Sequence, residues 1–294
     1  DMESKDNQGM APVIIIGMHR SGTSMLARAL SELGLYMGRR RTRNEECRWT
    51  NKINYWIFAQ ASATWERPEG MDTLLRDPDL CHTISDYMQG IVSGPACARY
   101  MGLRRYARYG SLFRVAEPWG WKDPRNTFTL PLWLTLFPNA KVVHIIRHGV
   151  DVAQSLRNRR NRDAGAAAQR YWGRRGLYAN NPLAPKRSGF AHSPRVADLE
   201  GGMALWEAYT SRGRELVRKW ENQSLELYYE EMVRNPVQSL KQITEFCGVK
   251  ASHENVLRVS EGFDPEKAYA YRQSELLTNF SSKFLENLQK FAYR

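Results

Sequence analysis

The stretch VIIIGMHRSGTS, Val13 to Ser24, constrains this chain more than any other. Four β-branched residues in succession, with no polar alternation, suit a strand buried on both faces of a parallel sheet. Gly17 and Gly22 then bracket a short loop. From Thr23 onward Leu26, Leu30 and Leu33 recur at helical spacing, and Gly34 is placed for a left-handed stop. A strand, a glycine-bounded loop and a helix in direct succession gather backbone N–H groups at a helix N-terminus, an arrangement that binds anions. Ser21, Thr23 and Ser24 add hydroxyls to that loop, and Arg20 adds a cation.

Gly17 to Ser24 nearly matches the triphosphatase P-loop G-x-x-x-x-G-K-[ST], but Thr23 stands where the lysine belongs. The cation has moved inside the loop to Arg20, beside His19. A second strand is expected at Lys141–Ile146 (KVVHII), and it leads into Arg147 where a metal-binding nucleotidase would place a carboxylate. Both departures count against a Mg²⁺-dependent kinase. Ser155, eight residues beyond Arg147 on a helix starting near Asp151, can join Arg147 at the carboxyl end of the sheet, where open α/β sheets bind ligands. Gly120-Trp121-Lys122-Asp123-Pro124-Arg125 precedes another helix; Lys122 is a candidate anion ligand, with Asp123 and Arg125 paired as a brace.

A third strand is expected at Leu225–Tyr229, followed by a helix with Asn235 as N-cap, Pro236 as its first residue and Gly248 as its stop. Apolar strands alternating with helices predict an α/β fold, a central parallel sheet of the P-loop type flanked by helices. The chain reads as a single domain over 1–294. Its parts are the strand-loop-helix at 11–34, a helical insertion at 35–118, a second anion-binding segment at 119–160, a basic excursion or lid at 161–202, and the remaining helices and strand at 203–294. The basic stretch itself runs from Arg157 to Arg195, and the last thirty residues read as one helix.

Composition narrows the partner. With 42% hydrophobic residues the chain can build a core, and 43 Lys+Arg against 31 Asp+Glu leave a formal charge of +12. An anion is therefore expected as ligand: a phosphorylated small molecule, an acidic polymer, nucleic acid or a membrane surface. No zinc finger or aromatic RNA-binding sequence is present, so no specific nucleic acid is expected. Cys47, Cys81, Cys97 and Cys247 have no metal-site or disulfide spacing, which predicts reduced thiols and no metal site. The sequence shows no run of ~18 apolar residues and no secretory leader, which reads as a cytoplasmic protein without a membrane span.

Taken together the motifs resemble the sulfotransferase family, which uses 3′-phosphoadenosine 5′-phosphosulfate (PAPS) as donor and releases PAP. GMHRSGTS is similar to the 5′-phosphosulfate loop, mapping it onto Arg20, Ser21, Gly22, Thr23 and Ser24. WKDPR with FPNAKVVHIIRHGVDVAQS resembles the 3′-phosphate segment and maps its arginine and serine onto Arg147 and Ser155. YYEEMVRNP with ITEFCGV puts Tyr229 near the adenine. RNEECRWTNKIN, with the region of Trp65, is similar to a glutamate-bearing segment of bacterial members. The C-terminal RKG element of eukaryotic members is absent, leaving Lys283 as a guess for a further 3′-phosphate ligand.

The resemblance implies sulfuryl transfer to a hydroxyl or amine without a metal. In-line displacement needs cations at the leaving group and a base at the acceptor. Arg20 and Lys122 are the candidates for the first task. For the base Glu46 comes first, Glu45 second and His19 third, with His19 also able to donate to the sulfate. The expected acceptor is a small-molecule or glycan hydroxyl, carbohydrate first, with a phenol, a lipid or a peptide tyrosine as alternatives. The competing classes are a P-loop kinase and a non-enzymatic polyanion binder. Trp49, Tyr55, Trp56, Phe58 and Trp65 can either line the acceptor site or belong to the core.

Overall fold

The computed structural model describes residues 9–180 and 193–293. Its centre is a four-stranded, wholly parallel sheet in the order β2-β1-β3-β4. Strand β1 is Val13–Ile16, β2 Gly120–Lys122, β3 Lys141–Ile146 and β4 Ser224–Tyr228. Strands β1 and β3 fall where their apolar runs predict, and β4 starts one residue early. Strand β2 comes as an addition: three residues between Pro118 and Pro124 are too short to show a period. It pairs with β1 in the register Val13↔Gly120 and Ile15↔Lys122, which sets Lys122 two residues short of the loop that begins at Gly17.

Seven longer helices organise the rest: α1 Thr23–Glu32, α2 Arg48–Gln60, α3 Pro78–Ser93, α4 Asn126–Leu136, α5 Gly149–Gly173, α6 Leu199–Lys219 and α7 Pro236–Cys247. The chain divides into two compact units, Asp1–Arg147 with Tyr209–Ala268, and His148–Ala208 with Tyr269–Arg294. The first holds the sheet. Val13, Ile15, Val143, Ile145 and Leu227 pack with Leu26 and Leu30 of α1 and Leu240 and Ile243 of α7 in one buried cluster. Each such side chain fully buried contributes about 1.5–3 kcal/mol, so α1 is pinned to the sheet by its leucine stripe.

In the second unit, α5 carries the basic stretch much further as helix than a surface excursion implies. The run Ala164-Gly165-Ala166-Ala167-Ala168-Gln169 is dominated by good helix formers and prolongs it to Gly173. The part of the expected lid at 181–192 lies outside the described residues. Within this unit the His148 ring is fully buried and stacks on Tyr271 at 4.3 Å. Asp151 accepts hydrogen bonds from the backbone N–H groups of Ala270 and Tyr271 at 3.2 and 2.7 Å.

Two local expectations are corrected. The C-terminal region is two short helices, Glu275–Lys283 and Leu285–Gln289, because the chain leaves helical geometry at Phe284. Asn235 occupies the N-cap position of α7 but does not cap it; its amide donates instead to Glu231. Gly248 does terminate α7 in the left-handed conformation, at φ 72°.

Candidate active site

The loop between β1 and α1 is built for close backbone approach. Arg20 and Gly22 adopt φ of 71° and 91°, so two left-handed residues fold successive N–H groups into a concave turn. Helix α1 opens at Gly22 with no side-chain cap and no acid in its first turn, leaving its N-terminus suited to an external anion. Ser21 is buried, and its hydroxyl has no hydrogen-bond partner among the described residues. Gly17 anchors the near end by donating its N–H to Thr127 Oγ1 of α4 at 3.1 Å. A buried, unpartnered hydroxyl beside an uncapped helix N-terminus can donate to an anion. Ser24 is turned elsewhere, donating to the Asn44 carbonyl at 2.8 Å.

The ends of β3 and β4 meet this loop. Arg147 donates to the Arg20 carbonyl at 3.4 Å and to the Lys267 carbonyl at 3.1 Å, and its guanidinium lies 4.4 Å over the Tyr229 ring. Tyr229 packs so closely on Gly22 that any Cβ there would collide with the ring. Arg20, Gly22, Arg147 and Tyr229 therefore converge from residues far apart in the chain. Ser155 lies half-buried on α5, and Lys283 is exposed at the end of its helix; both belong to the second unit.

On the β2 side, Lys122 Nζ sits 3.2 Å from Glu46 Oε1, with side chains 1% and 10% exposed. Burial lowers the Lys122 pKa below its ordinary value, although Glu46 and Asp123 pull the other way. Glu46 Oε2 accepts from Asn51 of α2 at 3.0 Å. Glu45 turns away: it takes up φ 60° and pairs with Arg41 at 2.8 Å and Arg28 at 3.4 Å. His19 is half-buried, edge-on to Trp65 at 4.8 Å and to Tyr209 at 6.2 Å.

The brace between Asp123 and Arg125 forms, Nε to Oδ1 at 3.0 Å, with the Arg125 backbone N–H on the same oxygen. Burial opposes the Arg125 charge, but Asp123, with smaller contributions from Tyr55 and Glu46, outweighs it, and the guanidinium pKa rises above its ordinary value. Two elements were missed from sequence. Asn54, fully buried, donates to Asp123 Oδ2 and Asn126 Oδ1 and accepts from Thr129 Oγ1 and Trp133 Nε1, at 2.8–3.0 Å. Its signal was a polar residue on the apolar face shared by Thr50, Ile53 and Ile57. The second joins β3, β4 and α6: the Nδ1 of buried His144 lies 3.1 Å from Glu226 Oε2, and Arg214 of α6 donates to Glu226 Oε1 at 2.9 Å. Of the aromatics, Trp49 and Phe58 enter the core, whereas Tyr55 is 59% exposed.

A parallel sheet whose first strand runs into an uncapped, glycine-bounded loop, faced by cations and one buried carboxylate, defines an enzyme that handles phosphorylated or sulfated nucleotides without a Walker lysine. The profile of the sulfotransferase family matches residues 12–253, and the chain belongs to that family, whose donor is PAPS. The match extends over segments of both compact units. The fold is similar to that of the sulfotransferase domain from the Synechococcus PCC 7002 olefin synthase, with TM-score 0.51, 18% identity, and 99% of this chain and 97% of that one covered. A sulfotransferase from Alicyclobacillus acidocaldarius aligns over 96% of this chain and 94% of its own, with TM-score 0.48 and 16% identity. No curated protein matches by sequence. Among the described residues no helix is long and apolar enough to cross a membrane.

Proposed function

We propose that this sulfotransferase moves the sulfuryl group of PAPS to a hydroxyl acceptor, a carbohydrate in the first instance, with Glu46 as the base. The carrying observation is the Lys122–Glu46 contact at 3.2 Å, at the end of the strand next to the phosphosulfate loop. A carboxylate and an ammonium held together there supply the two functions the reaction needs. Arg20, Ser21 and the N–H groups of residues 22–24 hold the 5′-phosphosulfate, Tyr229 lies at the adenine, and the family resemblance gives the 3′-phosphate to Arg147 and Ser155. Thr23 and Ser24 contribute chiefly through their backbone, because the Ser24 hydroxyl is engaged with Asn44. His19 serves as a donor to the sulfate rather than as the base, and Glu45, committed to two arginines, orders the loop around Glu46.

In this reading the acceptor oxygen forms a bond to sulfur while the bond from sulfur to the bridging phosphate oxygen breaks. Glu46 takes the acceptor proton, and Arg20 and Lys122 stabilise the negative charge left on PAP. No step in this reading requires a metal: Thr23 replaces the triphosphatase lysine, its cation sits within the loop at Arg20, and Arg147 stands where the metal-binding carboxylate would be. We treat the chain as one functional domain.

The experiment is turnover with labelled PAPS over a panel of glycan, phenol, lipid and tyrosyl acceptors, alongside PAP binding, for the native protein and Glu46→Gln. Sulfation of a glycan hydroxyl, lost in Glu46→Gln with PAP affinity kept, supports the reading. Full turnover in Glu46→Gln removes Glu46 as base, and stabilisation by ATP with Mg²⁺ but not by PAP overturns the donor.

A further inference from the structure

Arg125 is 4% exposed, yet its Nη1 has no hydrogen-bond partner among the described residues. Its natural counter-ion is already committed. Asp123 gives one oxygen to the Arg125 Nε and backbone N–H and the other to Asn54. A buried guanidinium donor left unsatisfied is rare in folded proteins and calls for a partner that arrives from outside. One ring that reaches solvent packs on this group: Tyr55, 59% exposed, lies 3.7 Å over the guanidinium carbon.

The position matters as much as the charge. Tyr55 follows Asn51 by four residues on α2, so the two share a helix face one turn apart, and Asn51 holds the Glu46 carboxylate. An anionic substituent on Arg125 thus lies against the helix whose Asn51 also holds the Glu46 carboxylate. The donor's own charges are answered elsewhere, at the loop and at Arg147. An exposed aromatic ring beside the unsatisfied cation also suits the apolar face of a sugar.

We infer that Arg125 and Tyr55 form an acceptor subsite that selects a sugar bearing a carboxylate, a uronic acid, placing its carboxylate on Arg125 and its ring against Tyr55. The inference rests on Glu46 marking the acceptor side. Charge-assisted pairing with a guanidinium gives the subsite its selectivity, and the lone Nη1 donor gives it direction.

The test is calorimetric titration of PAP-saturated protein with methyl β-D-glucuronide and with methyl β-D-glucoside. The native protein is expected to bind the glucuronide about tenfold more tightly than the glucoside, the scale of one charge-assisted hydrogen bond. Arg125→Gln erases that preference, and Tyr55→Ala weakens both glycosides several-fold. PAP affinity, measured in the absence of sugar, stays within twofold of native in both variants. Equal binding of the two glycosides, or binding of neither, overturns the inference, and needs no variant to fold. So does a preference that survives Arg125→Gln, or a tenfold loss of PAP affinity in that variant, which moves Arg125 to the donor. Each of these outcomes leaves the PAP and Glu46→Gln measurements intact as the separate test of sulfuryl transfer.

Discussion

Lys122 and Glu46 form a buried ion pair, 3.2 Å apart, between the end of β2 and the residue two positions before α2. Neither charge is well hydrated, so each depends on the other for its solvation. Removing one partner of such a pair typically costs about 3–5 kcal/mol, whereas removing both costs far less. Lys122→Met is therefore expected to lower unfolding stability by about 3 kcal/mol, and Lys122→Met/Glu46→Gln to recover most of it. Denaturant unfolding of the three proteins checks this. Equal stability of the single and double variants contradicts the coupling.

The same pair predicts a division of labour in kinetics. Glu46→Gln is expected to reduce kcat by roughly 10²–10⁴-fold, the usual worth of a positioned base, with little change in PAP affinity. Restored stability in the double variant should bring back no turnover, which separates chemistry from folding. Single-turnover rates with saturating PAPS are the measurement.

Gly22 combines φ 91° with Tyr229 packed against its α-carbon. Gly22→Ala strains the backbone and drives a methyl group into the ring, and Tyr229 in turn lies under Arg147. The expected result is a loss of PAP affinity of at least about tenfold, since the loop N–H groups and the Arg147 stack shift together. Titration with PAP decides it; affinity within twofold of native means the loop absorbs the methyl group.

Glu226 carries a pH prediction. Burial raises its pKa, but hydrogen bonds from His144 and Arg214 outweigh burial and hold it below its ordinary value of 4.5. A carboxylate with a depressed folded pKa contributes fully above the unfolded value, and that contribution falls as pH drops through the folded one. Native stability should therefore decline below about pH 4.5, and Glu226→Gln should flatten that part of the profile while lowering stability at neutral pH. Urea midpoints from pH 3 to 7 give the readout; parallel profiles for the two proteins contradict it.

Asn54 satisfies four hydrogen bonds in a fully buried position and ties α2 to the turn that carries Lys122 and Arg125. Asn54→Leu takes the hydrogen-bond partner from Asp123 Oδ2 and Trp133 Nε1, at about 1–3 kcal/mol each where no relaxation follows, while Asn126 keeps Trp121 and Thr129 keeps the Arg125 carbonyl. The thermal midpoint should fall by several degrees, and more than for a substitution at exposed Gln60. An unchanged midpoint shows that the network can rearrange around the loss.

The strand-loop-helix from Val13 to Gly34, the strand at Lys141–Ile146 and the stop at Gly248 were all legible in the chain, because each rests on local rules. Buried parallel strands need unbroken apolar runs, a helix needs its leucine stripe, and left-handed positions favour glycine. The anion-binding role proposed for the loop rests on the same local pattern. What sequence left open was which distant side chains share a space. Strand β2 was too short to carry a period, and only its pairing with β1 sets Lys122 beside the loop. Glu45 and Glu46 are neighbours of equal chemistry, and a left-handed backbone at Glu45 sends one to two arginines and the other to Lys122. Asn54 read as an ordinary polar residue and Arg125 only as the partner of Asp123 until packing removed both from water, where a buried donor needs a partner and Arg125 Nη1 has none among the described residues.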